Sequence, residues 1–126
     1  MWQRGVAQRR RLRFLAMKQY TSPEQTAKLI ELGFEKPCSI ASVEPIYGMG
    51  GISVAKAYTI GELLSFLPEN IAKQDEMPST LNISLLNGEW CVEYADFLGA
   101  DFSFRSVELI DVIFDMLTEL KEKGVI

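Results

Sequence analysis

The sequence predicts an α+β fold of order α-ββ-α-ββ-α, in which an antiparallel sheet of about four strands is packed by helices on one face. Three observations carry this expectation. A short apolar helix is framed by a capping box and a proline at 58–68, an Asn87-Gly88 pair separates two alternating runs, and a long amphipathic stretch ends at Gly124. Size agrees with one domain: 126 residues, 48% hydrophobic and 24% charged, is enough chain to bury about two-thirds of its unfolded surface without a disulfide or metal.

Residues 1–16 carry five arginines (Arg4, Arg9, Arg10, Arg11 and Arg13) and no acid. Only Phe14-Leu15-Ala16-Met17 follows as an apolar stretch, too short for a secretory signal. The leader reads as an upstream extension of the reading frame before a natural start at Met17, or as an arginine-rich arm for nucleic acid or an anionic membrane. Residues 17–126 form the expected single α+β domain. They hold eight basic and seventeen acidic side chains, a net charge of −9 that the whole-chain value of −4 conceals.

The first helix opens at Thr21-Ser22-Pro23-Glu24-Gln25. Ser22 is the expected cap with Pro23 at the first helical position, and Thr21 with Glu24 offers an alternative box. Ala27, Leu29, Ile30 and Leu32 supply its expected buried side. Gly33 suits the left-handed position after the helix, with Phe34 folding back onto Leu29, and Pro37 confirms the stop. From Ser39 to Ile46 and from Ile52 to Tyr58 the pattern is extended, joined through Tyr47-Gly48-Met49-Gly50-Gly51. This predicts a hairpin with a glycine-rich loop, its first strand at an edge because of Pro45. A phosphate loop would require a helix after the glycines, whereas a β-like run follows.

The central helix starts at Thr59, whose hydroxyl and the Glu62 carboxylate have capping-box spacing, with Tyr58 placed to staple onto Leu63. Ile60, Leu63, Leu64 and Leu67 fall on one face, and Pro68 ends the element. Tyr20-Thr21-x-x-Glu24 and Tyr58-Thr59-x-x-Glu62 recur, but two shared caps are too few for a duplication. Glu69–Ser79 reads as a polar surface connection. Leu81, Ile83 and Leu85 then alternate before Asn87-Gly88, whose residues suit a type I′ turn. Trp90, Val92 and Tyr94 return on one face with Cys91 and Glu93 on the other.

Asp96–Phe104 reads as a loop holding Phe97, Phe102 and Phe104. These rings either seal the edge of the core or form an interaction patch. Ser106 is the expected cap of the last helix, which runs to about Lys123. Its buried stripe is Ile110, Ile113, Phe114, Leu117 and Leu120. Glu108, Asp111, Asp115, Glu119 and Glu122 make a second stripe, with Asp111, Asp115 and Glu119 at repelling i, i+4 spacings relieved only by Lys121 and Lys123. This is a solvated face, a docking face for a basic partner, or a weak divalent-cation site.

The chain contains no histidine, which removes the commonest general base, the commonest metal ligand and the histidine-activated nucleophiles. Cys38 and Cys91 stand far apart in no ligand-spaced cluster and read as buried thiols in a reducing, cytoplasmic compartment. No cofactor motif is present, and the charge of residues 17–126 disfavours nucleic-acid binding by the folded part.

Four stretches resemble one group of proteins: Met17-Lys18-Gln19-Tyr20-Thr21 with Glu24 and Leu29 to Phe34; Tyr58 to Leu64 with Leu67-Pro68; Trp90 to Tyr94; and Glu108 to Asp111 with Lys123 to Ile126. They resemble small uncharacterised proteins of phages, prophages and mobile elements in Bacteroides-like gut bacteria. The resemblance covers about residues 17–126, and it implies a fold and a genomic setting with no active site. The leading expectation is therefore a non-enzymatic interaction or structural protein of a phage or mobile element, binding another protein or itself. An acidic inhibitor that mimics DNA to block a host DNA-binding enzyme, and a carboxylate-dependent enzyme lacking histidine, are the alternatives. The expected binding residues are Phe97, Phe102, Phe104, Asp111, Asp115 and Glu119.

Overall fold

The computed structural model describes residues 17–37, 39–43, 53–73 and 76–126. The arginine leader, Cys38, Pro45 and the glycine-rich loop lie outside the described residues. Among the described residues three helices, α1 (Pro23–Glu31), α2 (Ile60–Phe66) and α3 (Leu109–Glu122), alternate with two antiparallel sheets. One sheet pairs β1 (Ser39–Val43) with β2 (Ser53–Ala57). The other runs in the order β3-β4-β5-β6 (Asn70–Lys73, Glu76–Leu86, Glu89–Asp96, Gly99–Ser106). The fold is α+β, as expected, and α3 packs on β5 and β6.

The first helix begins and ends as its residues dictate. Ser22 Oγ accepts from the Gln25 N–H while the Gln25 side chain accepts from the Ser22 N–H. The box is thus Ser22 with Gln25, not Thr21 with Glu24. The Thr21 hydroxyl is engaged elsewhere, accepting from the Tyr58 N–H at 3.0 Å and sharing a 2.7 Å bond with Thr26. At the other end Gly33, at φ +97°, lets Gly33 N–H reach Ile30 O and Phe34 N–H reach Leu29 O. Leu29 and Thr26 form the buried side; Ala27 and Ile30 are exposed and Leu32 is half-buried. Thr26 can turn inward because its hydroxyl also donates to Ser22 O.

The Thr59–Glu62 box caps α2, and Leu67 leaves the helix in extended conformation before Pro68. Leu63 and Leu67 are buried and Ile60 is half-buried, but Leu64 is exposed, because a two-turn helix presents only a narrow face. Tyr58 is buried, packs edge-on against Phe66 and donates to the Glu35 carbonyl. A bridge between Tyr20 and Thr59 and the Thr21 N–H to Tyr58 O bond tie the segment before α1 to this region.

Two stretches expected as connections are strands. Within 69–79, β3 pairs its Asn70 and Ile71 with Thr80 and Ser79 of β4. It is four residues long and bulged, and its polar and apolar residues do not alternate. Asp96–Phe104 is the turn and second strand of the β5–β6 hairpin, with Phe102 opposite Tyr94 and Phe104 opposite Val92. Both rings face the core. The four-stranded sheet is therefore β3 to β6, and the first hairpin stands apart from it.

The type I′ expectation holds: Asn87 and Gly88 have φ +53° and +79°, and Leu86 pairs with Glu89. Leu85 is more exposed than Leu81 and Ile83 because it lies at the open end of the sheet. Ser106 ends β6 rather than capping α3; Glu108 is the cap residue and Ser106 Oγ accepts its N–H. Ile110, Ile113, Leu117 and Leu120 are fully buried, joined by Val112 and Met116, while Phe114 is half-buried. Gly124, at φ +72°, closes α3 with Val125 N–H on Leu120 O.

Candidate interaction surfaces

The β5–β6 turn is two residues long. Asp96 pairs with Gly99, the Asp96 carboxylate accepts from the Leu98 N–H at 2.8 Å, and Gly99 takes φ +138°. This geometry holds Phe97 and Leu98 outward, 78% and 81% exposed. Thr80 of β4 pairs with Ala95, so Met77, three residues earlier and 60% exposed, lies level with the same tip. Just inside the tip the register shifts between Tyr94 and Ala95, and the Asp101 carboxylate accepts from the buried Ser79 hydroxyl. The tip is thus a short apolar projection on a hydrogen-bonded base.

The three expected phenylalanines do not form one patch. Phe97 stands at the tip, while Phe102 and Phe104 lie half-buried under the sheet, with Lys123 Nζ 5.6 Å from the Phe102 ring. Leu98 and Met77, which complete the projection, escaped the sequence reading. The signal for them was present: Phe102-Ser103-Phe104-Arg105 alternates as a strand, which would have made Phe97-Leu98 a turn.

The acidic stripe on α3 is largely taken up by the chain itself. Lys18 Nζ lies 2.9 Å from Asp111, which also accepts from Gln25 Nε2 at 2.8 Å. The Lys18 N–H donates to the Glu108 carboxylate at 3.1 Å. Lys123 pairs with Glu119 at 2.8 Å and Lys28 with Glu122 at 3.5 Å. Lys121 instead lies over the Phe34 ring at 5.3 Å. Asp115 remains exposed, and its carboxyl is held above the usual range by partial desolvation and then by the charge of Asp111. Sequence could not reveal Lys18 and Lys28 as partners, because only the docking of α1 and its approach segment beside α3 brings them there.

Among the described residues no helix covers the outer face of the sheet. An open depression there is lined by Ser84, Leu86, Glu89, Cys91, Glu93 and Arg105. Cys91 is a buried, unbridged thiol at 3.8 Å from the Ser103 hydroxyl. Glu89 and Glu93 are four residues apart on one strand, which sets their Cα atoms roughly 13 Å apart with Cys91 between them. That separates the acids rather than pairing them across one reacting bond. Among the described residues no three acid or thiol groups converge as metal ligands, and no helix is long and apolar enough to cross a membrane.

Together these features define a class by architecture alone: a four-stranded antiparallel sheet packed by helices, with an apolar hairpin tip. Comparison with protein-family models, curated proteins and solved structures finds no match to the chain.

Proposed function

We propose that this protein is a non-enzymatic interaction protein that binds a protein partner through the tip formed by Phe97, Leu98 and Met77. The observation that carries this reading is the 78% and 81% exposure of adjacent Phe97 and Leu98 on a turn fixed by the Asp96 bond. Large apolar side chains held in water on a rigid turn form a ready anchor for a complementary pocket. A phage or mobile element is the setting that the sequence resemblance suggests, and the reading of the cysteines as free thiols suits a cytoplasmic role. The DNA-mimic reading is less well supported, because Lys18, Lys28 and Lys123 neutralise much of the α3 stripe. The open outer face and its separated acids lend little to a carboxylate enzyme.

Capture of partners from host lysate by the full chain, compared with a Phe97→Ser/Leu98→Ser double variant, tests the proposal. A single partner retained at high salt and lost at least about tenfold in the tip variant is expected, with the melting temperature unchanged. A partner that ignores the tip variant but is lost at high salt and in Asp115→Asn/Glu119→Gln would replace this reading with the mimic. Equal capture by all variants would overturn both.

A further inference from the structure

We propose that two copies of this chain pair through the overhanging edge of β4, residues 82–86, to form one continuous eight-stranded antiparallel sheet. β4 is eleven residues long and β3 only four. Their contact ends where the Leu81 N–H donates to Glu69 O, while β5 accompanies β4 on its other side to Leu86. Main-chain groups of one strand alternate in direction, and Leu81 points toward β3, so Ile83 and Leu85 present their N–H and C=O to the open side. Among the described residues no strand covers that side. An unpaired edge of this kind is a template for another strand.

The edges differ in how they are protected. β6 carries a bulge at Asp101, the positive φ of Gly99 and the charge of Arg105, and β3 is short and bulged. The overhang Asn82-Ile83-Ser84-Leu85-Leu86 has no charge, proline or bulge, yet leaves Leu85 45% and Leu86 63% exposed. Its pattern complements itself. A two-fold axis at Ser84 sets Ile83 opposite Leu85 of the second copy, and the reverse, on the core-side face. The two hydrogen-bonded positions supply four new main-chain bonds, and no like charges are brought face to face. A proline-bearing strand would lose a main-chain bond and a charged strand the apolar side-chain pairs, whereas a second copy supplies both. The pairing buries less than about 1,200 Å², so the dimer is reversible and depends on concentration. It leaves the Phe97–Leu98 tips at the far ends of the sheet, and it does not rest on the function proposed for them.

Sedimentation of the full chain over two decades of concentration, with amide hydrogen exchange in parallel, tests the pairing. The expected result is a shift from one to two chain masses, accompanied by slowing of the Ile83 and Leu85 amides as the dimer fills. Ser84→Lys, exposed in the monomer, sets two ammonium groups on the axis and is expected to keep the chain monomeric at unchanged melting temperature. A monomer at every concentration overturns the proposal. So does a dimer indifferent to Ser84→Lys, or protection of Ile83 and Leu85 that is already complete in the monomer, which would mean that another segment of the chain covers the edge.

Discussion

Tyr94 shows how one side chain joins packing to pH. It is fully buried opposite Phe102, and its hydroxyl donates to the Pro68 carbonyl at 2.6 Å, which fixes the end of α2 onto the sheet. Burial pushes its pKa up to about 12 from an ordinary 10. Below pH 10 the phenol is protonated in folded and unfolded chains alike. Between 10 and about 12 the unfolded chain releases the proton and the folded one keeps it, so stability falls as pH rises through that window and then levels. Thermal melts across the window should therefore drop more steeply in the parent than in Tyr94→Phe. Asp115 gives a second test of the same sign in a lower pH window. Its carboxyl resists ionisation through partial desolvation and then the charge of Asp111, so Asp115→Asn should raise stability at neutral pH by a few tenths of a kcal/mol, a gain that vanishes in acid melts. Residue identity alone announced the Asp111–Asp115 repulsion, but not the Lys18 and Gln25 contacts that temper it.

Among the elements, the helix ends were the most legible. Ser22, Thr59, Gly33 and Gly124 act through bonds within four or five residues, so their roles are written in local sequence. Thr59→Ala should cost about 1 kcal/mol in urea unfolding, and the seven-residue α2 has little other local support. Gly33→Ala should cost a similar amount, about 1 kcal/mol, by forcing a Cβ into φ +97°. The strands divide by the same logic. Asn87-Gly88 and its alternating flanks identify β4 and β5, whereas β3 is held by pairing with β4 and by one buried residue, Ile71. The start of β6 is hidden for a different reason: Gly99 and the bulge at Asp101 interrupt the pattern before the Phe102-Ser103-Phe104 alternation begins.

At the scale of the molecule, the two sheets are unequally secured. The four-stranded sheet shares its buried side with α3, so Val92, Tyr94, Ile113 and Leu117 belong to one core. The main contact of the β1–β2 hairpin with another element is that of β2 with α1. Native-state hydrogen exchange should accordingly find the slowest amides in β5 and α3, and an earlier opening of 39–43 and 53–57. Equal protection throughout would show that the hairpin is part of the main cooperative unit.

The sequence by itself determined the α+β class, α1 and α2 with their N-terminal caps, the β4–β5 hairpin and the inward stripe of α3. These follow from periodicity and from hydrogen bonds between near neighbours, which need no knowledge of the rest of the chain. Only the tertiary structure decided that Met77 of β4 lies level with Phe97 and Leu98 at one projecting tip. It alone brought Lys18 and Lys28 to the acids of α3, and it alone left β4 longer than its neighbour. Each of these depends on which strands and helices lie side by side, a property of contacts between residues up to 93 positions apart that no local pattern encodes.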